Sequence, residues 1–244
     1  NVEKLPIISP HGHCDPIWFS ENKRFPNPSQ LFVIPDHYVF RMLVSQGFTL
    51  NELGVQPLDG SVFEKDPRKI WKKFSENYYL FRGTPTAMWL DYSFEKVFGI
   101  TEILTPANSD SYYNQIEEKL SQPEYLPQAL FHKFNIEVLS TTDSAISDLS
   151  KHIDLKNSNW DGKVIPTYRP DSVVDPEKNE FKNNLVKLGE LTNEDTSSWD
   201  GYLKAHRSRR LFFKELGATA SDHGHPSART ENLSHHEAEQ LFKR

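Results

Sequence analysis

Hydrophobic positions follow two different periods along this chain. Residues 5–9 (LPIIS) form a short apolar run with two adjacent isoleucines, closed by Pro10 and His11-Gly12-His13. That pattern predicts a buried strand whose C-terminal end carries polar groups. From Asp36 the period becomes helical. Val39, Met42 and Leu43 share a face, Asp36 stands as N-cap, and Gly47 is the C′ stop. His37 and Tyr38 then fall on the first turn of that helix.

Residues 56–130 keep the helical period without a strand signal, so they read as a helical insertion. Asp66-Pro67 opens a helix with Ile70, Phe74 and Tyr78 on one face; Thr84-Pro85 opens a second, ended by Gly99; residues 109–121 make a third. After residue 130 short strands alternate with helices. IEVLS (136–140) ends in Thr141-Thr142-Asp143, and a helix carrying Ile146 and Leu149 follows. KVIPT (163–167) ends at Tyr168-Arg169-Pro170-Asp171, and Asp175-Pro176 caps a helix with Phe181, Leu185 and Leu188. A long helix spans about 197–216. ATAS (218–221) is a short strand before Asp222-His223-Gly224-His225, and Ser234 with Glu237 forms a capping box for a last helix. Strand, polar end, helix, repeated, is the pattern of βα units and a parallel sheet. The predicted class is therefore α/β, in three segments: 1–55 with the first strand and the His37 helix, 56–130 as the insertion, and 131–244 with strands 2–4. Four strands are an open sheet or part of a larger barrel.

Composition narrows the classes. With 36% hydrophobic and 12% aromatic residues, the 244-residue chain has material for a core. The net charge of −6 is mixed throughout, and no Lys/Arg tract points to nucleic acid. The single cysteine, Cys14, allows no internal disulfide and reads as a packing residue in a reducing compartment. No apolar run reaches membrane-spanning length. A cytoplasmic protein without signal peptide is expected, although the sequence opens on Asn1 rather than Met.

The candidate chemistry lies at the strand ends. His11 and His13 alternate in an extended segment, so both imidazoles can reach one ion; the competing reading is two histidines in a polar loop. Neutral imidazole suits zinc, manganese, iron or nickel. His37-Tyr38 at a helix N-terminus can serve proton transfer or anion binding, or can be a solvated histidine beside a half-buried tyrosine. Arg169 can grip a carboxylate with two hydrogen bonds or pair with Asp171. Asp143 reads as a helix cap. The Asp222–His225 segment can supply a ligand, a supporting partner or a substrate contact.

Taken in order, PIISPHGHCDP, PDHYVFRML, LFRGTP, NIEVLSTTD, TYRPD and GATASDHGHP resemble the uronate isomerases, the glucuronate isomerase branch of the amidohydrolase superfamily, over nearly the whole chain. The resemblance implies a (β/α)8 TIM-type barrel of the metal-dependent hydrolase kind, with a helical insertion after strand 1 and only about four strands in this chain. It implies interconversion of D-glucuronate with D-fructuronate, and of D-galacturonate with D-tagaturonate. His11 and His13 match the family's metal pair, His37 and Tyr38 its catalytic His-Tyr, and Arg169 its substrate-binding arginine. His223 falls in the fourth-strand segment and is carried over as a substrate contact. One divalent metal is implied, zinc first, with manganese, iron or nickel as alternatives. The implied partner is a small-molecule uronate, with neither nucleic acid nor membrane; homo-oligomerisation stays open.

Family members are considerably longer. Their second half carries an aspartate that completes the metal site, the expected base, and a neighbouring arginine. The chain is therefore expected to be a fragment, inactive without its missing half. Two rival readings are a metal-dependent hydrolase of the same superfamily and a non-catalytic sugar-acid binding module. Lys163 lies at the start of its strand, the wrong end for the bridging lysine of a binuclear hydrolase.

Overall fold

The computed structural model describes residues 2, 4–224 and 230–243. In chain order, β1 (Ile7–Ser9) is followed by α1 (Ile17–Glu21), α2 (Pro28–Phe32) and α3 (His37–Val44). Then come α4 (Pro67–Glu76), α5 (Pro85–Tyr92), α6 (Ser109–Leu120) and α7 (Pro127–Lys133), linked by short 3-10 and π turns. The rest is β2 (Ile136–Ser140), β3 (Asp143–Ser144), α8 (Ser150–Asn157), β4 (Lys163–Ile165), β5 (Tyr168–Arg169), α9 (Asp171–Val174), α10 (Phe181–Thr192), α11 (Trp199–Glu215) and α12 (His235–Phe242).

Two compact units result, one of Asn1–Asn22 with Phe131–Arg244, the other of Lys23–Leu130. The helical unit begins before residue 56, and the helix bearing His37 belongs to it. The reason is apolar burial: Val39 and Leu43 of α3 are fully buried in one cluster with Ile70, Trp71 and Phe74 of α4 and Ile116 of α6. Trp71 also donates its indole N–H to the Ser109 carbonyl at 3.0 Å, so this core satisfies its polar edge internally.

In the other unit every strand pairing is parallel. β1, β2 and β4 form one ladder in that order, and β3 pairs with β5. The α/β class predicted from strand–helix alternation is what is found. The fourth predicted strand, 218–221, is reduced to one parallel bridge between Ser221 and Tyr168. Its start is tied elsewhere: Gly217 takes a φ of +99° and the Ala218 N–H returns to the Phe213 carbonyl, closing the end of α11.

Three expectations are corrected. β1 is not buried: Ile7 is 48% and Ile8 62% exposed, because β1 pairs on one side only among the described residues. The helix after β2 starts at Ser150, not near Ile146. Leu149 turns to φ +54°, and Asp148, not Asp143, accepts the Ser150 N–H at 2.9 Å. Asp175 ends α9 instead of opening the next helix, which begins at Phe181. The caps at Asp36, Asp66, Thr84 and Ser234 are found as predicted, each side chain accepting N–H groups of the first turn.

Candidate active site

The polar ends of the parallel strands gather in the sheet-bearing unit. His11 and His13 follow β1, His11 at a bend, and their Nε2 atoms stand 3.1 Å apart. At that separation both nitrogens can come within the roughly 2.1 Å reach of one ion. Gly12 between them is closely packed, since an added Cβ would lie 3.0 Å from the Ser140 carbonyl oxygen.

Asp222, just past the Ser221 bridge, joins this pair to Arg169. Its Oδ2 lies 3.2 Å from His11 Nδ1 and 3.6 Å from Arg169 Nη1. The same atom is buried without a hydrogen bond of good geometry, so its company there is electrostatic. A carboxylate beside Nδ1 favours a proton on that nitrogen and leaves Nε2 free to ligate.

Arg169 donates from Nε to Asp171 Oδ2 at 2.6 Å, the pairing named as the competing reading, with its side chain one-third exposed. The bond to Asp171 raises the guanidinium pKa further. Burial opposes ionisation of Asp171, yet the Gly224 N–H and the Arg169 guanidinium together bring its carboxyl below the usual range. Gly224 leaves room for both groups, because a Cβ there would stand 2.9 Å from Asp171 Oδ2 and 3.0 Å from Arg169 Nη2 and the two side-chain ends would have to shift. His223, expected as a substrate contact, is exposed, with its Nε2 3.0 Å from Ser221 Oγ. Asp222 beside it makes the contacts with His11 and Arg169. His225 lies outside the described residues.

His37 and Tyr38 belong to the helical unit. Asp36 Oδ1 accepts the Tyr38 N–H at 2.8 Å, which fixes the first turn of α3. The two rings lie 4.2 Å apart between centroids, and Tyr38 meets Trp89 edge-on at 6.4 Å. Both residues of the pair are exposed, Tyr38 by 55%.

Beside His13 opens a cleft of about 400 Å³, lined among others by Cys14, Asp15, Thr141, Asp143 and His152. Thr141 and His152 were not singled out by sequence. His152 looks like any helix residue in α8, but the fold buries it against the end of β2, with Nε2 2.8 Å from Thr141 Oγ1. Burial lowers its pKa against the pull of Asp143. Cys14 packs at the edge of the Phe19 and Phe131 cluster, and burial pushes its thiol up.

A divalent metal fits the donor chemistry of His11 and His13, with Asp222 orienting His11. Among the described residues, no group of three His, Cys, Asp or Glu side chains is set to hold one. Two imidazoles are fewer donors than the three or four protein ligands of a zinc site.

Comparison with known proteins follows the same lines. The sequence model of the family described as "Glucuronate isomerase" matches residues 1–244. The chain is 55% identical over 241 residues to a protein of Rhizobium meliloti named "Uronate isomerase", covering 99% of this chain and 51% of that one. It is 52% identical to one of the same name from Xanthomonas axonopodis pv. citri, with the same coverage. The crystal structure of glucuronate isomerase from Caulobacter crescentus superposes with a TM-score of 0.95 at 47% identity, over 99% of this chain and 50% of that one. That of uronate isomerase from Thermotoga maritima gives 0.88 at 28%, over 99% and 51%. The chain spans about half the length of the relatives it matches. With one family's model covering every residue and these likenesses in sequence and fold, the chain belongs to the glucuronate isomerase family.

Proposed function

We propose that this chain is part of a uronate isomerase that interconverts D-glucuronate with D-fructuronate, and D-galacturonate with D-tagaturonate. The carrying observation is the cluster in which two imidazole Nε2 atoms converge at 3.1 Å while one carboxylate, Asp222, faces both His11 and Arg169. An ion-binding pair and a cation for a substrate carboxylate, coupled through one acid, are what a metal-assisted reaction on a sugar acid needs. The parallel strands belong, in this reading, to a (β/α)8 barrel of the amidohydrolase kind, whose sites lie at C-terminal strand ends. A cytoplasmic location goes with it; among the described residues, no helix is long and apolar enough to cross a membrane.

The chain's residues have distinct tasks. Arg169, held by Asp171, presents its outer N–H groups to the uronate carboxylate. His11 and His13 hold a divalent ion, zinc first, which supplies electrostatic stabilisation of developing oxyanion charge when bound. His37 and Tyr38 move a proton between the adjacent oxygens of the open-chain sugar, while a carboxylate base takes the carbon-bound proton. His223 reaches substrate at the rim.

The test is ketose formation from D-glucuronate and D-galacturonate by the intact protein. Chelation is expected to abolish turnover and a divalent metal to restore it. His37→Asn is expected to lose turnover while still binding uronate, and Arg169→Lys to raise KM. No ketose from either sugar by folded, metal-loaded protein overturns the proposal, and hydrolysis of an ester, amide or lactone substrate would put a hydrolase in its place.

A further inference from the structure

The loop carrying His11 and His13 is exposed, so something must hold it to the sheet. Two hydroxyls do. Ser9 Oγ, at the end of β1, donates to the His11 carbonyl at 3.2 Å. Thr142 Oγ1 donates to the Gly12 carbonyl at 2.9 Å, from a residue 130 positions away, just past the end of β2. The Gly12 backbone is thus held by Thr142 on one count and limited by the Ser140 carbonyl on the other.

Thr142 can serve as an anchor because its neighbours are immobilised. Thr141 is 1% exposed. Its N–H donates to Ile165 O at 2.9 Å, and its carbonyl accepts from Thr167 N–H at 3.1 Å. Its single hydroxyl proton goes to the closer acceptor, Asp143 Oδ2 at 2.6 Å, so the same oxygen accepts from His152 Nε2–H at 2.8 Å. On the other side the Asp143 N–H donates to Thr167 O at 3.0 Å. Threonine 142 is therefore clamped between two residues fixed to the neighbouring strand and to α8.

We propose that Thr142 is a positioning residue for the His11–His13 pair. By holding the Gly12 carbonyl it sets where the two imidazoles stand, and it does so without touching ion or substrate. The proposal rests on reading His11 and His13 as metal ligands. Supports of this kind change metal affinity by about 10- to 100-fold.

The measurement is zinc affinity of the intact protein, by competition with a chromogenic chelator, with thermal melting alongside. Thr142→Val keeps shape and removes the donor. It is expected to weaken zinc binding by about tenfold or more with the melting temperature little changed, and Thr142→Ser to restore wild-type affinity. Wild-type affinity in Thr142→Val overturns the proposal. Should that variant fail to fold, Gly12→Ala decides: its Cβ presses the loop off the Ser140 carbonyl with Thr142 intact, and unchanged affinity there overturns the proposal equally. A His11→Ala/His13→Ala double variant that binds zinc as tightly as wild type overturns the metal reading itself, which is a separate result.

Discussion

Two buried groups show what single residues contribute. His206 of α11 shares a hydrogen bond between Nδ1 and the Tyr168 hydroxyl, 2.7 Å away, while its Nε2 is buried without a hydrogen-bond partner. Burial, aided by the Arg210 charge, lowers its pKa to about 4, and burial raises that of Tyr168 to about 12. The folded state thus holds His206 neutral below the ordinary value of 6.5. As pH falls through 6.5 the unfolded chain takes up a proton that the folded chain refuses, so stability declines from there down to about pH 4 and levels off below. At 1.36 kcal/mol per pKa unit the full loss is about 3 kcal/mol. His152, also lowered by burial, adds in the same sense. Denaturant melts between pH 7 and 4 are expected to show this slope, and His206→Gln to flatten it. Gly224 gives a second prediction. Its missing Cβ makes room for Asp171 and Arg169, so Gly224→Ala is expected to displace the guanidinium and raise KM for uronate with little loss of thermal stability. Unchanged KM would show that Arg169 has room to adapt.

Among the elements, α3 joins a stability device to the His37–Tyr38 pair. Asp36 caps it and His37 and Tyr38 form its first turn, so one side chain orders both the helix end and the pair. Asp36→Ala is expected to cost about 1 kcal/mol, as loss of an N-cap usually does, and to lower kcat more than Asp36→Ser, which keeps an acceptor. Chemical denaturation and steady-state kinetics check the two parts. Such caps were legible beforehand because a capping side chain acts within three residues. The start of α8 was not, because Leu149 adopts a positive φ that its residue type disfavours and that tertiary packing imposes.

For the whole molecule, the informative surface is β1. Leu5, Ile7 and Ile8 are 60%, 48% and 62% exposed beside a strand edge that has no partner among the described residues. Exposed apolar edges recruit other chains. The isolated 244-residue chain is therefore expected to bind a hydrophobic dye and to self-associate as concentration rises, and Ile8→Lys to reduce both. Sedimentation velocity that shows a monomer at all concentrations would count against this.

Local order sufficed for much of this protein. The caps at Asp36, Asp66, Thr84 and Ser234, the alternation of strands and helices, the parallel α/β class and the placing of His11, His13 and Arg169 at strand ends all follow from contacts within a few residues or from hydrophobic period. The ordered run of six segments was enough to indicate the family. Long-range contacts decided the rest. Asp222 meets His11 and Arg169 only because the chain next to the Ser221–Tyr168 bridge is brought back to the ends of β1 and β5. Thr142 meets Gly12 because β1 and β2, 130 residues apart in sequence at that contact, lie side by side. β1 is open rather than buried because burial depends on which neighbours a strand has, and an apolar run cannot announce how many there will be.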